Sequence, residues 1–373
     1  MKRQFISFRT ALPALLLVWM LQGCSTENWW KGNLHTHSYW SDGNTYPEEV
    51  AAWYKANGYN FLAVTDHNRL QEGERWRRLA EGDSVRLLTF EEYRSDYEEP
   101  QHFMLLHGEE ISDASQGKPV HLNAIHTSRV IPPTGGATVG ECLLNNVVRM
   151  REELTPQGFG EWIVVNHPNF GWALTAEDLA LSTVLFFEVF NGHPSVRNWG
   201  DSIHPSTEEM WDEANRYRSE NGLPLLLGTA TDDAHHYHKM EPGQANPGRG
   251  WIQARSKELS PEAIYNAMLQ GLFYATTGIE LEDVRVTRSS YRVRVKPVPG
   301  ISYRVQFFGI LEKETESQIL AEVSGTEATY NFTGNELFVR SRILSDKVHP
   351  NPFSPGETEM AWTQPVKVSG SRP

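Results

Sequence analysis

Asn33-Leu34-His35-Thr36-His37, followed by Asp42 and then by Thr65-Asp66-His67-Asn68, is the stretch that decides how this chain reads. Side chains alternate across a strand with period two, so two histidines one residue apart at the end of a short apolar run face the same side. Asp42 follows in a Ser-Asp-Gly-Asn turn, where the chain can double back and set a carboxylate beside the two rings. A lone His-x-His is ordinary in strands, and its weight comes from what recurs downstream.

Glu110 follows the apolar run Phe103 to Leu106, and His121 opens the next one, His-Leu-Asn-Ala-Ile. Val164-Val165-Asn166-His167-Pro168 ends another run in a histidine, and Leu225-Leu226-Leu227-Gly228 leads to Thr231-Asp232-Asp233-Ala234-His235. Strand ends that each carry His, Asp or Glu are hard to explain by packing. Between them lie helical patterns: one opened by Pro47 and closed at Gly58, one near Glu141 to Glu153, one from about Thr207 to Asn221, and one opened by Ser260-Pro261. Residues 69–101 read as one helix and a loop. Alternating strands and helices with polar groups at the strand carboxyl ends predict a parallel barrel with its site on the top face. An open doubly wound sheet is the alternative, and it gathers ligands at one switch point, whereas these are spread over nearly every strand.

With these motifs in order, residues 30–280 resemble the PHP (polymerase and histidinol phosphatase) family of metal-dependent phosphoesterases. The resemblance rests on the His-x-His with its following Asp, Thr-Asp-His, Gly-x-Glu, the histidine eleven positions after that Glu, Asn-His-Pro and the closing Asp-x-His. Phe187-Glu188-Val189-Phe190-Asn191-Gly192 and Ala361-Trp362-Thr363-Gln364-Pro365 resemble a secreted lipoprotein subgroup. The family likeness implies a distorted seven-stranded (β/α)7 barrel in an α/β chain and a metal set of His35, His37, Asp42, His67, Glu110, His121, His167, Asp233 and His235. It groups His35, His37, Glu110 and Asp233 around one ion, Glu110 with His121 and His167 around a second, and Asp42, His67 and His235 around a third. Nine donors are too many for one tetrahedral ion, so two to three divalent ions are expected. Imidazole and carboxylate without thiolate leave Zn, Mn and Fe open. The implied activity is hydrolysis of a phosphomonoester or phosphodiester by a metal-bridging hydroxide, with His35, His37, Glu110 and Asp233 catalytic through the ions they hold. A metal-dependent amide or carbamate hydrolase on the same barrel is the alternative, and a non-catalytic envelope or glycan-binding lipoprotein is a third.

Two doublets are resolved by spacing: Gly-x-Glu selects Glu110 over Glu109, and Asp-x-His selects Asp233 over Asp232. Glu109, Asp232 and Asp66 then read as supporting groups, with Asp66 expected to orient His67. His126, His193, His236 and His238 match no family position and read as loop or surface residues. Arg69 and Arg197 are candidates to steady a substrate phosphate. Trp40, Trp172 and Trp199 are candidates either to stack on a substrate ring or to serve as core lids.

The first residues read as an export signal: Lys2, Arg3 and Arg9, an apolar core from Ala11 to Met20, then Leu21-Gln22-Gly23-Cys24, which resembles a bacterial lipobox with Cys24 as the acylated residue. The reading divides the chain into a signal at 1–23, a tether at 24–32, the barrel at 33–282 and a C-terminal β-sandwich at 283–373. Ser25 after that cysteine implies an outer-membrane lipoprotein of the cell envelope, its facing and oligomeric state left open. Loss of the leader removes those three basic residues and no acidic one, taking the formal charge from −13 to −16. So acidic a surface argues against duplex nucleic acid, which is bound through Lys and Arg, but not against a phosphoester whose charge bound dications offset. With Cys24 acylated, Cys142 has no partner for a disulfide. From about Asp283 short alternating segments recur, which predicts the small β-sandwich.

Overall fold

A computed structural model describes residues 27–79 and 82–368; the leader and Cys24 lie outside them. The helices begin and end where their local chemistry directs. Pro47 opens Pro47–Ala56, with Glu48 and Glu49 in the first turn, Lys55 in the last, and Val50, Ala51 and Tyr54 buried. Thr207–Glu220 starts in a capping box between Ser206 and Glu209. Val139–Leu154 is capped by Thr138, and Pro261–Leu269 by Ser260.

Two sheets face each other around one interior. In the first, strands Met104–His107, Phe61–Val64 and Asn28–Asn33 run parallel, and Asn28–Asn33 then pairs antiparallel with Trp251–Ser256, as does that strand with Phe273–Thr276. In the second, Ile163–Val165, Phe186–Asn191 and Leu227–Thr231 are parallel, while Glu109–Ser115 and Lys118–Ala124 form a hairpin on its edge. Single bridges between Thr36 and Ala234 and between His67 and Glu110 stitch the sheets together. Phe61, Ala63 and Leu106 of the first sheet interdigitate with Val164, Phe186 and Leu227 of the second. The long helices cover the outer faces, where Tyr54 and Tyr93 pack on Leu62 and Leu105, and Met150 and Trp211 on Val165 and Phe187.

Several expectations are corrected. The sheets are mixed rather than all parallel. One cause is local: Gln116 and Gly117 both take positive φ (54° and 77°), and a two-residue turn of that kind joins antiparallel neighbours with no crossover helix. The strand Glu109–Ser115, Glu-Glu-Ile-Ser-Asp-Ala-Ser, carries no alternating apolar signal and escapes a pattern reading. The expected tether is ordered from Asn28, where Trp29 packs edge-on against Tyr274 (5.0 Å between centroids) and Trp30 is buried. The first strand therefore ends at Asn33, before the histidines. Residues 69–101 hold a hairpin, Trp76–Arg78 with Ser84–Arg86, as well as the helix Phe90–Tyr97. Trp40 is buried, with its indole N–H on the Leu88 carbonyl, which makes it a core lid.

The C-terminal strands do build two layers over one core, in which Tyr291 and Val293 meet Val305, Phe307 and Ile343. One layer, however, continues the first sheet, because Thr358–Thr363 pairs directly with Phe273–Thr276. Buried Arg340 adds a second tie, reaching Asp212 through Nε (2.6 Å) and Glu208 (3.1 Å) on the helix Thr207–Glu220.

Candidate metal centre

His35 and His37 follow the strand Asn28–Asn33 on either side of the bridge between Thr36 and Ala234, and both are buried. His35 Nε2 lies 3.4 Å from Glu110 and 3.3 Å from Asp233; His37 Nε2 lies 3.5 Å and 3.2 Å from the same two carboxylates. Glu110 is central. Its oxygens are 2.7 Å from His67 Nδ1, 3.1 Å from His121 Nδ1 and 3.2 Å from His167 Nε2. Asp42, its side chain 59% exposed at the rim, stands 3.5 Å from His67 Nε2 and 3.3 Å from His235 Nε2. The structure thus brings all nine sequence candidates together. Four overlapping donor groups result: His37, Asp42, His67 and His235; His35, Glu110 and His167; His35, His37 and Asp233; and His67, Glu110 and His121.

Nearby groups fix the orientation of these side chains. Glu188 accepts from His35 Nδ1 (2.7 Å), the His167 backbone N–H (2.7 Å), Asn191 Nδ2 (2.8 Å) and Thr231 Oγ1 (2.6 Å). With its proton held on Nδ1, His35 presents a bare Nε2 to the centre. His235 Nδ1 bonds the Asp233 carbonyl at 2.8 Å, which turns Nε2 toward Asp42 in the same way. Asp66 does not orient His67. It accepts from Ser38 N–H, Ser38 Oγ, Ser41 Oγ and Gln71 Nε2, and so fixes the turn that presents Asp42. His167 and Asp233 adopt positive φ (23° and 50°), a strain of about 1–3 kcal/mol each that persists where surroundings over-determine it.

The residues present fit cations. His35 Nε2, His37 Nε2 and Glu110 Oε2 are buried and make no hydrogen bond of acceptable geometry. An orphaned buried polar atom costs about 1–3 kcal/mol, and three converging on one point are what a cation site needs and a packed core avoids. Electrostatics agree. Burial works to raise Glu110 and Asp233, yet the facing histidines, His67 for Glu110 and His35 for Asp233 foremost, hold both well below the usual carboxylate range. Burial, then His235 and His67, depress His37 to about 3. His67 is pushed the other way, to about 11, because Glu110 and Asp42 outweigh its burial.

The doublets resolve as their spacing implies. Glu109 points away and accepts from the Ile131 N–H; burial lifts it to about 8. Asp232 accepts from Tyr54 Oη and the backbone of Gly248, Arg249 and Gly250. His126 packs on Phe159, His236 Nδ1 accepts from Ala245, and His238 bonds the Asn44 carbonyl. Neither Arg69 nor Arg197 lines the cavity: Arg69 turns back to the His67 carbonyl, and Arg197 is exposed. Trp172 stacks on His204 and Trp199 lies against Phe190, both away from the cavity lining. Sequence reasoning missed the task of Glu188 within Phe187-Glu188-Val189-Phe190-Asn191-Gly192 and misplaced His193, which lines the cavity.

That cavity, about 190 Å³, is walled by Asp42, His67, Glu110, His121, His167, Phe170, His193, Asp233 and His235. His121 and Phe170 also wall a wider cleft of about 670 Å³ beside Pro119 and Pro133. A larger cavity of about 760 Å³ between Leu223, Phe273 and Tyr291 has no histidine, cysteine or carboxylate in its walls, so chemistry belongs to the smaller one.

No family model matches the chain, and no curated protein matches it. Among solved structures it is similar to a two-domain protein containing a predicted PHP-like metal-dependent phosphoesterase from Bacteroides vulgatus, with 17% identity over 91% of this chain and 95% of that one and a TM-score of 0.44. It is also similar to a candidate metal-dependent phosphoesterase from Bifidobacterium adolescentis (14%, 56% and 88%, TM-score 0.33). A third is an amidohydrolase from Chromobacterium violaceum with bound sulfate and no metal (17%, 56% and 88%, TM-score 0.30). At such distances the chemistry of this site rests on its own geometry.

Proposed function

We propose that the protein is a metal-dependent hydrolase of phosphate esters, with two to three divalent ions held by His35, His37, Asp42, His67, Glu110, His121, His167, Asp233 and His235. One observation carries the reading: orphaned donor atoms of His35, His37 and Glu110 converge beneath a cavity whose remaining polar walls are imidazole and carboxylate. Divalent ions bound there supply Lewis-acid polarisation of a phosphoryl oxygen and a water acidified toward neutral pH. Glu110, in reach of five of the six ligand histidines, is the residue that would be able to join neighbouring ions. Glu188 keeps His35 in the tautomer that can ligate, and Asp66 keeps the Asp42 turn in place. The mouth at His121 and Phe170 leaves the leaving group room in the wider cleft. No serine or cysteine lines the cavity, so a protein nucleophile is not part of the reading.

The leader, with Lys2, Arg3, Arg9 and Leu21-Gln22-Gly23-Cys24, supports an enzyme exported to the envelope and anchored through Cys24. Among the described residues no helix is long and apolar enough to cross a membrane. The test is hydrolysis of bis-p-nitrophenyl phosphate, p-nitrophenyl phosphate and a nitrophenyl carbamate side by side, with His37→Ala and Asp233→Ala as controls. Phosphoester turnover that chelator and both variants abolish is expected. Turnover of the carbamate alone would replace the phosphoesterase reading with an amide or carbamate hydrolase.

A further inference from the structure

His193 lines the cavity beside seven of the nine donors yet belongs to none of the donor groups. Its backbone N–H donates to Asn191 Oδ1 at 2.8 Å and its carbonyl accepts from Val196 at 3.0 Å. Asn191 is itself bound to Glu188, Asp233 and Asn198, so the loop is built on the metal centre's own framework. The His193 ring stands edge-on to His235 (5.3 Å between centroids) and to Phe170 (6.3 Å).

The ring's protonation pattern follows from one bond. Ser195 N–H donates to His193 Nδ1 at 3.2 Å. Only an unprotonated ring nitrogen can accept, so the proton of the neutral ring sits on Nε2. That nitrogen has no partner among the described residues and is not sealed from solvent. The other polar walls are carboxylates, which only accept, and histidines turned toward them; no Lys or Arg lines the cavity. His193 is therefore the wall histidine outside the donor groups that is free to donate to an incoming oxyanion.

We propose that His193 Nε2–H donates a hydrogen bond to a non-bridging oxygen of the substrate's phosphoryl group and is a catalytic residue of this site. The inference rests on the phosphoesterase reading above. No proton changes owner: the ring stays neutral, and the bond tightens as charge builds on that oxygen.

The experiment compares the metal-loaded protein with His193→Ala and His193→Gln, the latter restoring an N–H near the place of Nε2. Measured for each are metal content, affinity for inorganic phosphate by calorimetry, and kcat/KM for p-nitrophenyl phosphate. In His193→Ala, unchanged metal content, phosphate binding about tenfold weaker and kcat/KM about 100-fold lower are expected, with His193→Gln in between. Parent-like phosphate affinity in His193→Ala would overturn the proposal, and so would loss of metal, which would make His193 a ligand. A 15N spectrum with the His193 proton on Nδ1 would overturn it as well. If the parent hydrolyses no phosphoester, the functional reading fails by itself, and the phosphate isotherms still decide the role of His193.

Discussion

Replacing Glu188 by Gln removes one charge and changes almost no volume, yet it should cost the protein its grip on metal. Four donors meet two carboxylate oxygens here: His35 Nδ1 and Thr231 Oγ1 on one, His167 N–H and Asn191 Nδ2 on the other. A glutamine has one oxygen to offer. If its NH2 faces the first pair, the Thr231 hydroxyl can rotate to accept, but His35 must move its proton to Nε2, the atom aimed at Glu110 and Asp233. If it faces the second pair, two fixed N–H groups are left unpaired in a buried site at about 1–3 kcal/mol each. The second arrangement costs about 2–6 kcal/mol of stability; the first lowers metal affinity about 10- to 100-fold, the usual consequence of removing a partner that orients a ligating histidine. Competition against a chromophoric chelator reads the affinity, and urea unfolding of the metal-free protein reads the stability. A Glu188→Gln protein that binds metal within about twofold of the parent and unfolds at the same urea concentration would refute the reasoning.

Burial works against His35, His67, His167 and His235 in the metal-free protein, yet their carboxylate partners raise all four, His67 from 6.5 to about 11. Raised histidines stabilise the fold fully below the unfolded value near 6.5 and lose that stabilisation as pH climbs through the folded value. The Tm of chelator-treated protein should therefore fall between pH 6 and 9 while the metal-loaded Tm holds, and calorimetry in buffers of different ionisation enthalpy should show protons released on metal binding. At Gly43 an added Cβ would stand 2.6 Å from the backbone of His37 and Ser38, so Gly43→Ala should weaken metal binding with little change in far-UV circular dichroism. Arg340→Met leaves Asp212 and Glu208 buried without their shared partner and should cost about 3–5 kcal/mol in urea unfolding. Burial works to raise Glu208, but Arg340 and then Arg342 hold it low, so its share of that stability is present above the usual carboxylate range near 4.5 and is lost as pH falls through the lowered folded value.

The donor set was legible because ligating side chains are short, chemically distinctive and delivered at the ends of apolar runs. The strands Phe61–Val64 and Phe273–Thr276 are short, fully buried runs, legible for the same reason. Strand direction was not legible. Gln116-Gly117 is an inconspicuous turn, and Glu109–Ser115 owes its place to its partner Lys118–Ala124, with Glu110 opposite Asn123 and Ser112 opposite His121. The direct pairing of Thr358–Thr363 with Phe273–Thr276 depends on contacts more than eighty residues apart in sequence, beyond any local pattern. His193 and Glu188 were hidden differently: a histidine in a Gly-His-Pro loop and a glutamate inside an apolar strand look alike whether they face solvent, core or site, until Asn191 and the Ser195 N–H fix where they point.

Elemental analysis of protein purified without chelator, and again after loading with zinc or manganese and removal of excess, tests the central claim most directly. Two to three divalent ions per chain are expected for the parent, with fewer in His35→Ala and Glu110→Ala proteins that remain folded. A folded parent that retains less than one ion per chain under both loadings would contradict the account.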